Sequence, residues 1–186
     1  LRYGGPHGPL RRPCEWPLGA RPGAVQPGVV MSGPDQAFPP MPSPAAIGHV
    51  LPEWVDHYGH MNLAYYVVAF DLATDLLWPR LGLGPVFRAQ GLGTFAAENW
   101  VAYKREVTQG MPLAARSEVL AHDAKRLLLR HRLFHGTEGW ESAECELLFL
   151  CVDLEKRRVA EWPVAVRAAF AAMPPGEAPK RLALKR

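Results

Sequence analysis

The chain has 186 residues, enough for one domain with a sizeable core, and carries 21 Lys or Arg against 18 Asp or Glu. The +3 balance belongs to the ends: residues 1–45 hold +2 and residues 174–186 hold +3, which leaves −2 for residues 46–173. A nucleic-acid-binding surface is therefore not expected, no apolar run reaches the roughly 18 residues of a membrane span, and three cysteines make no disulfide framework.

The first 45 residues contain 11 of the 19 prolines and 7 of the 17 glycines. Proline removes backbone donors and glycine raises the entropy cost of ordering, so residues 1–45 are expected to be a disordered arm. The arm lacks the apolar stretch and cleavage site of a secretory signal, and a reducing cytoplasm is the expected compartment. The chain opens on Leu1 and its first methionine is Met31, where translation is expected to begin.

A folded domain is expected over residues 46–173. Ile47–Val50 reads as a short strand ended by Pro52. Asn62 can cap a helix whose buried stripe is Tyr66, Val67, Phe70, Ala73, Thr74 and Leu77, and Pro79 stops it. Four strand-like runs follow, at 94–107, 112–122, 126–135 and 141–153, with Gly136–Gly139 as a hairpin connection and Glu155–Arg158 as another turn. Cys145 and Cys151 lie six apart, on one strand face, and read as small hydrophobes. Residues 164–172 are predicted to close the domain as a short helix, and 174–186 to be a basic flexible tail. One long helix followed by an antiparallel meander is an α+β pattern that several layouts satisfy.

The chemistry concentrates in Asp56-His57-Tyr58-Gly59-His60-Met61-Asn62, directly before the long helix. A helix N-terminus offers unpaired N–H groups and a positive dipole end, so the segment can polarise a carbonyl oxygen and supply a base. Asp56 is either the carboxylate that directs attack on a carbonyl carbon or a turn residue. Gly59 permits close backbone approach, and an amide of Gly59, His60 or Met61 is expected to bind the oxyanion. His60 is an acid or base, an orienter of Asp56, or a packed histidine. Asn62 either donates to substrate or caps the helix, and His57 reads as a solvent-facing loop residue. His49, His57 and His60 match no strong zinc spacing, so no metal is expected.

This stretch resembles the entry segment of hotdog-fold acyl-CoA thioesterases. Asp56 and Gly59 match the Asp-x-x-Gly of the 4-hydroxybenzoyl-CoA thioesterase type. Asp56, His60 and Asn62 match part of the plant acyl-ACP thioesterase pattern, with Tyr58 in place of its middle Asn. Gly59-His60-Met61-Asn62, Glu98 and Asp123-Ala124-Lys125-Arg126-Leu127 also resemble thioesterases of carnitine degradation. The resemblance, over about 47–172, implies an antiparallel sheet wrapped around a central helix. It also implies hydrolysis of a short acyl-CoA without cofactor or metal, and a homo-oligomer, dimer or tetramer, with the site at the subunit interface.

Trp54, Tyr58, Tyr65, Phe95 and Trp100 place many aromatics near that pocket, and aromatic faces attract quaternary ammonium groups. With Glu98, read as sharing a strand face with Ala96, Trp100 and Ala102, they would suit a betainyl acyl group. Ordinary core or dimer packing is the other reading of these aromatics. Lys125 and Arg126, or Arg157 and Arg158, are candidates for the CoA phosphates. Two rival functions are a hotdog hydratase or dehydratase and a non-catalytic acyl-CoA-binding module.

Overall fold

A computed structural model describes residues 44–184. The N-terminal arm, Cys14 and Met31 lie outside the described residues. The chain begins with β1 (Ala45–His49) and a 3₁₀ turn at Pro52–Trp54, then forms α1 (Leu63–Leu77). Asn62 caps α1, its side chain accepting from the Ala64 N–H at 3.1 Å. Pro79 lies in a 3₁₀ turn over Trp78–Leu81, ended by Gly82 at a φ of +69°, the left-handed conformation glycine adopts without penalty. A short α2 (Pro85–Ala89) leads into β2 (Leu92–Tyr103), β3 (Pro112–His122), β4 (Arg126–His135) and β5 (Glu141–Asp153). β6 (Arg158–Val159) and α3 (Val164–Ala172) complete the order.

The sheet runs β1-β3-β4-β5-β2, every neighbouring pair antiparallel, with β6 on the end of β5. α1 packs on its inner face. Tyr66, Ala69, Phe70, Ala73, Thr74 and Leu77 are buried there, against Leu113, Ala115, Leu129, Leu133, Ala143, Cys145 and Leu147. Val67, expected in this stripe, is 41% exposed, and Ala69 takes its place. At 100° per residue Ala69 lies about 60° to one side of Tyr66, next to Ala73, whereas Val67 lies about 100° to the other side and turns out of the buried stripe. Cys145 and Cys151 share the inner face, and burial pushes their thiols up to about 12 and about 11.

A fully buried imidazole sits inside this face. His131 on β4 is fully buried, between Thr74 of α1 and Ser117 of β3. The Thr74 hydroxyl donates to the Phe70 carbonyl at 3.0 Å, so its oxygen accepts from Nε2–H of His131 at 2.9 Å. Nδ1 of His131 then accepts from the Ser117 hydroxyl at 2.8 Å. The arrangement satisfies a neutral imidazole, and no carboxylate is among its hydrogen-bond partners in the described residues.

The outer face is built differently. Arg130 and Glu146, paired across β4 and β5 at 2.7 Å, are both fully buried. Residues 175–182, read as a flexible tail, run over them as a strap. Gly176 N–H donates to the Val119 carbonyl, and Arg130 Nη2 donates to the Ala178 carbonyl at 2.8 Å. The Lys180, Arg181 and Leu182 N–H groups all donate to the Glu146 carboxylate, at 2.6, 2.9 and 2.8 Å. Lys180 Nζ adds two bonds to Glu144. Positive charge alone suggests a solvated tail, but here it meets buried carboxylates that require partners.

Burial disfavours the charged form of His131 and pushes its pKa down to about 4 from an ordinary 6.5. The unfolded chain therefore takes up this proton first as pH falls. The stabilisation is whole above pH 6.5 and is lost between 6.5 and 4, about 3 kcal/mol in all. Urea midpoints measured from pH 7 to 5 should fall in the wild type and slope less in His131→Asn. Identical slopes would show that His131 does not govern this window. At Glu146 burial acts to raise the pKa, but the strap N–H groups and Arg130 outweigh it and hold it at about 2. Glu146→Ala should cost about 3–5 kcal/mol by stranding Arg130, and limited proteolysis should then cut near residues 176–182. An unchanged cleavage pattern would mean that the strap is held by something else.

Candidate active site

The 56–60 segment is a tight hairpin. Asp56 N–H donates to the His60 carbonyl and Gly59 N–H donates to the Asp56 carbonyl, both at 3.0 Å. The Asp56 carboxylate accepts from the Tyr58 N–H at 2.9 Å, and Gly59 takes a φ of +82° that closes the turn. Trp54 and Met61, both buried, anchor the two legs of the hairpin in the core, and Val55 bridges to Met61. Met61 N–H donates to the Val107 carbonyl at 2.9 Å and His60 bridges to Thr108, so the hairpin lies along the loop that follows β2.

This geometry sorts the candidate residues. Asp56 keeps one carboxylate oxygen, Oδ2, without a donor among the described residues. The Gly59 and Met61 amides already have backbone acceptors, so neither is available for an oxyanion. The Asn62 side-chain oxygen caps the helix, and its amide nitrogen has no acceptor among the described residues. The N–H groups of His60 and of Leu63, the first residue of α1, have no acceptor among the described residues. Leu63 escaped notice in the sequence because its contribution is an amide, and any residue supplies one; only the helix boundary marks it.

His60 is half-buried, with Nε2 3.4 Å from a carboxylate oxygen of Glu106. Glu106 was not singled out in the sequence, because it lies 46 residues beyond His60 and only the loop pairing brings them together. Tyr66, read only as core, is buried, and its hydroxyl is bonded to Ser142 and accepts from the Val107 N–H. Burial, countered in part by these bonds and aided by the charge of Glu106, raises its pKa. The Tyr103 ring meets Tyr66 edge-on at 5.0 Å and remains half exposed.

The expected aromatic pocket is not assembled within one chain. Trp54 stacks on Tyr65 at 5.6 Å, and Tyr58 stands in solvent against His57. Glu98 pairs with Leu148 and Trp100 with Glu146, which puts both on the outer face, away from α1. A bulge between Ala96 and Glu98 breaks the alternation, so Ala96 faces inward, opposite Phe149, and does not share the face of Glu98. Trp100 lies instead beneath the guanidinium of Arg181 from the strap, at 5.7 Å.

Lys125 and Arg126 sit at the start of β4, near the end of α1, where Trp78 packs on Phe149 and Phe149 pairs with Leu127. They are thus separated from Asp56 by about the length of α1, roughly 22 Å. Arg126 is paired with Asp123 at 2.6 Å, and that pairing, against the opposing effect of burial, lowers the Asp123 pKa. Lys125 and Arg158 line a surface cleft of about 400 Å³ together with Asp153 and Glu161. Among the described residues no three His, Cys, Asp or Glu side chains converge in a way that would hold a metal ion.

Comparison with known proteins agrees with this architecture. The betainyl-CoA thioesterase of Pseudomonas aeruginosa is 37% identical over 125 residues, which is 67% of this chain and 79% of that protein. The L-carnitine dehydrogenase/betainyl-CoA thioesterase of Agrobacterium fabrum is 33% identical over 122 residues, 66% of this chain but only 25% of that longer protein. A putative thioesterase from Pseudomonas putida superposes with a TM-score of 0.60 at 26% identity, covering 79% of this chain and all of the other. A Staphylococcus aureus protein solved in complex with CoA shares the fold, with a TM-score of 0.64 at 20% identity over 77% of this chain and 95% of its own. Residues 50–170 match the family described as the thioesterase-like superfamily. The chain belongs to that superfamily, and its antiparallel sheet curled around α1 is the hotdog fold.

Proposed function

We propose that the protein hydrolyses a small polar acyl-CoA, with betainyl-CoA as the substrate of choice, to the free acid and CoA. The observation that carries this reading is the Asp56 carboxylate, with a free oxygen, beside the open N-terminus of α1 in a chain of this superfamily. The betainyl relative, 37% identical, directs the choice of acyl group. In this mechanism the thioester oxygen lies toward the Leu63 and His60 N–H groups, where the helix dipole favours developing negative charge. Asp56 delivers water to the carbonyl carbon or attacks it directly, and CoA leaves as a thiolate. His60, fixed along Thr108, orients the water or the carboxylate.

The reading includes a homodimer. β2 is a twelve-residue strand at the end of the sheet with one unpaired edge, and Phe95 and Tyr103 on it are more than half exposed. Leu63 and Val67 on α1 are exposed as well. A long open edge with apolar side chains is a pairing surface. Antiparallel pairing of β2 with its copy inverts the second sheet. That inversion brings the Lys125–Arg126 end of one chain beside the Asp56 end of the other, so the two ends of one CoA fall to different subunits. We place the enzyme in the cytoplasm, where the buried thiols of Cys145 and Cys151 stay reduced.

Thiol release from acetyl-, betainyl-, 4-hydroxybenzoyl- and a long-chain acyl-CoA tests the activity. Betainyl-CoA should be turned over best, and Asp56→Ala should lose at least about 100-fold in kcat/KM. Undiminished hydrolysis in the variant would remove Asp56 from the chemistry, and thiol release from none would favour a binding module or a hydratase. Sedimentation should give a dimer, and Phe95→Lys should shift it toward monomer. A wild-type monomer with full activity would overturn the interface reading.

A further inference from the structure

We propose that Glu106 and Tyr103 form the subsite for the cationic head of the acyl group and so determine substrate choice. The inference rests on the thioesterase reading above.

The loop after β2 reads Lys104-Arg105-Glu106-Val107. Two of its three charges are committed elsewhere. Lys104 Nζ pairs with Glu141 at 2.7 Å and with Glu144 at 3.4 Å, and the Arg105 guanidinium lies over the Trp140 ring at 4.0 Å. Only Glu106 is turned to the hairpin, where it meets His60 at 3.4 Å and acts on the phenol of Tyr66. The loop thus removes its cations from the Asp56 end of α1 and presents a carboxylate that is 66% exposed. Tyr103 reaches the same phenol from the other direction, its ring held by the edge contact with Tyr66 and half exposed. A carboxylate and an accessible aromatic face gathered around Tyr66 offer the chemistry that receives a quaternary ammonium group.

The geometry of the acyl group makes the same demand. In a betainyl thioester the charged nitrogen is two bonds from the carbonyl carbon, so its subsite must adjoin the site of attack. The oxyanion turns toward the N–H groups of α1, and the trimethylammonium must turn away from that positive dipole end. Glu106, tied to the hairpin through His60, lies within reach of such a group. Glu98, on the far face of the sheet, does not. In the proposed dimer Tyr103 lies at the seam between subunits, as one wall of the cleft.

The test compares betainyl-CoA with 3,3-dimethylbutyryl-CoA, its uncharged carbon isostere, by kcat/KM. Wild type should prefer the cation. Glu106→Gln and Tyr103→Leu should lose at least ten-fold more on betainyl-CoA than on the isostere, whereas Tyr103→Phe should keep most of the preference. Residual turnover of the isostere reports that each variant is folded. Equal losses on both substrates in Glu106→Gln, with a shifted pH profile, would make Glu106 an orienter of His60 and overturn the proposal. If wild type cleaves the isostere but not betainyl-CoA, this inference falls while the thioesterase stands; if it cleaves no thioester, both fall.

Discussion

Everything in this fold hangs on the burial of α1 against the inner face of one curled sheet. Ala69 and Ala73, both essentially without exposure, let the helix backbone approach the strands closely, and Tyr66, Phe70 and Leu77 fill the space on either side. Each large side chain in that seam contributes about 1.5–3 kcal/mol by leaving water. One face of the helix is embedded along its length, while Leu63, Val67, Val68 and Leu76 on the other remain exposed. The N-terminal end carries orphan N–H groups by construction, and the hairpin and the loop after β2 are the segments that reach it.

The two faces of the sheet handle polarity in opposite ways. Inside, the neutral imidazole of His131 is satisfied by two hydroxyls amid mostly apolar side chains. Outside, charge is buried with charge: Arg130, Glu146 and Glu144 are covered by a strap whose backbone N–H groups complete the set. With this face covered by the chain's own C-terminal segment, Phe95 and Tyr103 on β2 and Leu63 and Val67 on α1 are among the large apolar side chains that remain exposed.

Much of the architecture was legible along the chain. The limits of β3, β4, β5 and α3 coincide with those read from alternation and turn residues, since antiparallel strands with one buried face carry a period of two. The cap at Asn62 was legible because a short polar side chain before an amphipathic run has a local reason to be there. The face of Glu98 was not. One bulged residue inverts every later side chain of a strand, and no local pattern marks it. The strap was equally hidden, because a basic tail looks alike whether it meets solvent or a buried carboxylate.

The sequence by itself determined most of the elements, the superfamily and the one short segment proposed to carry the chemistry, since helices, strands and a capped polar turn are governed by neighbours a few residues apart. Only the tertiary structure decided which groups share a site. It assigned the Gly59 and Met61 amides to the hairpin's own bonds and left the Leu63 amide open. It set Glu98 and Trp100 on the far side of the sheet, and it brought Glu106 and Tyr103 to the end of α1. Those outcomes depend on hydrogen bonds and register between segments far apart in the chain, and no periodicity along the sequence encodes them.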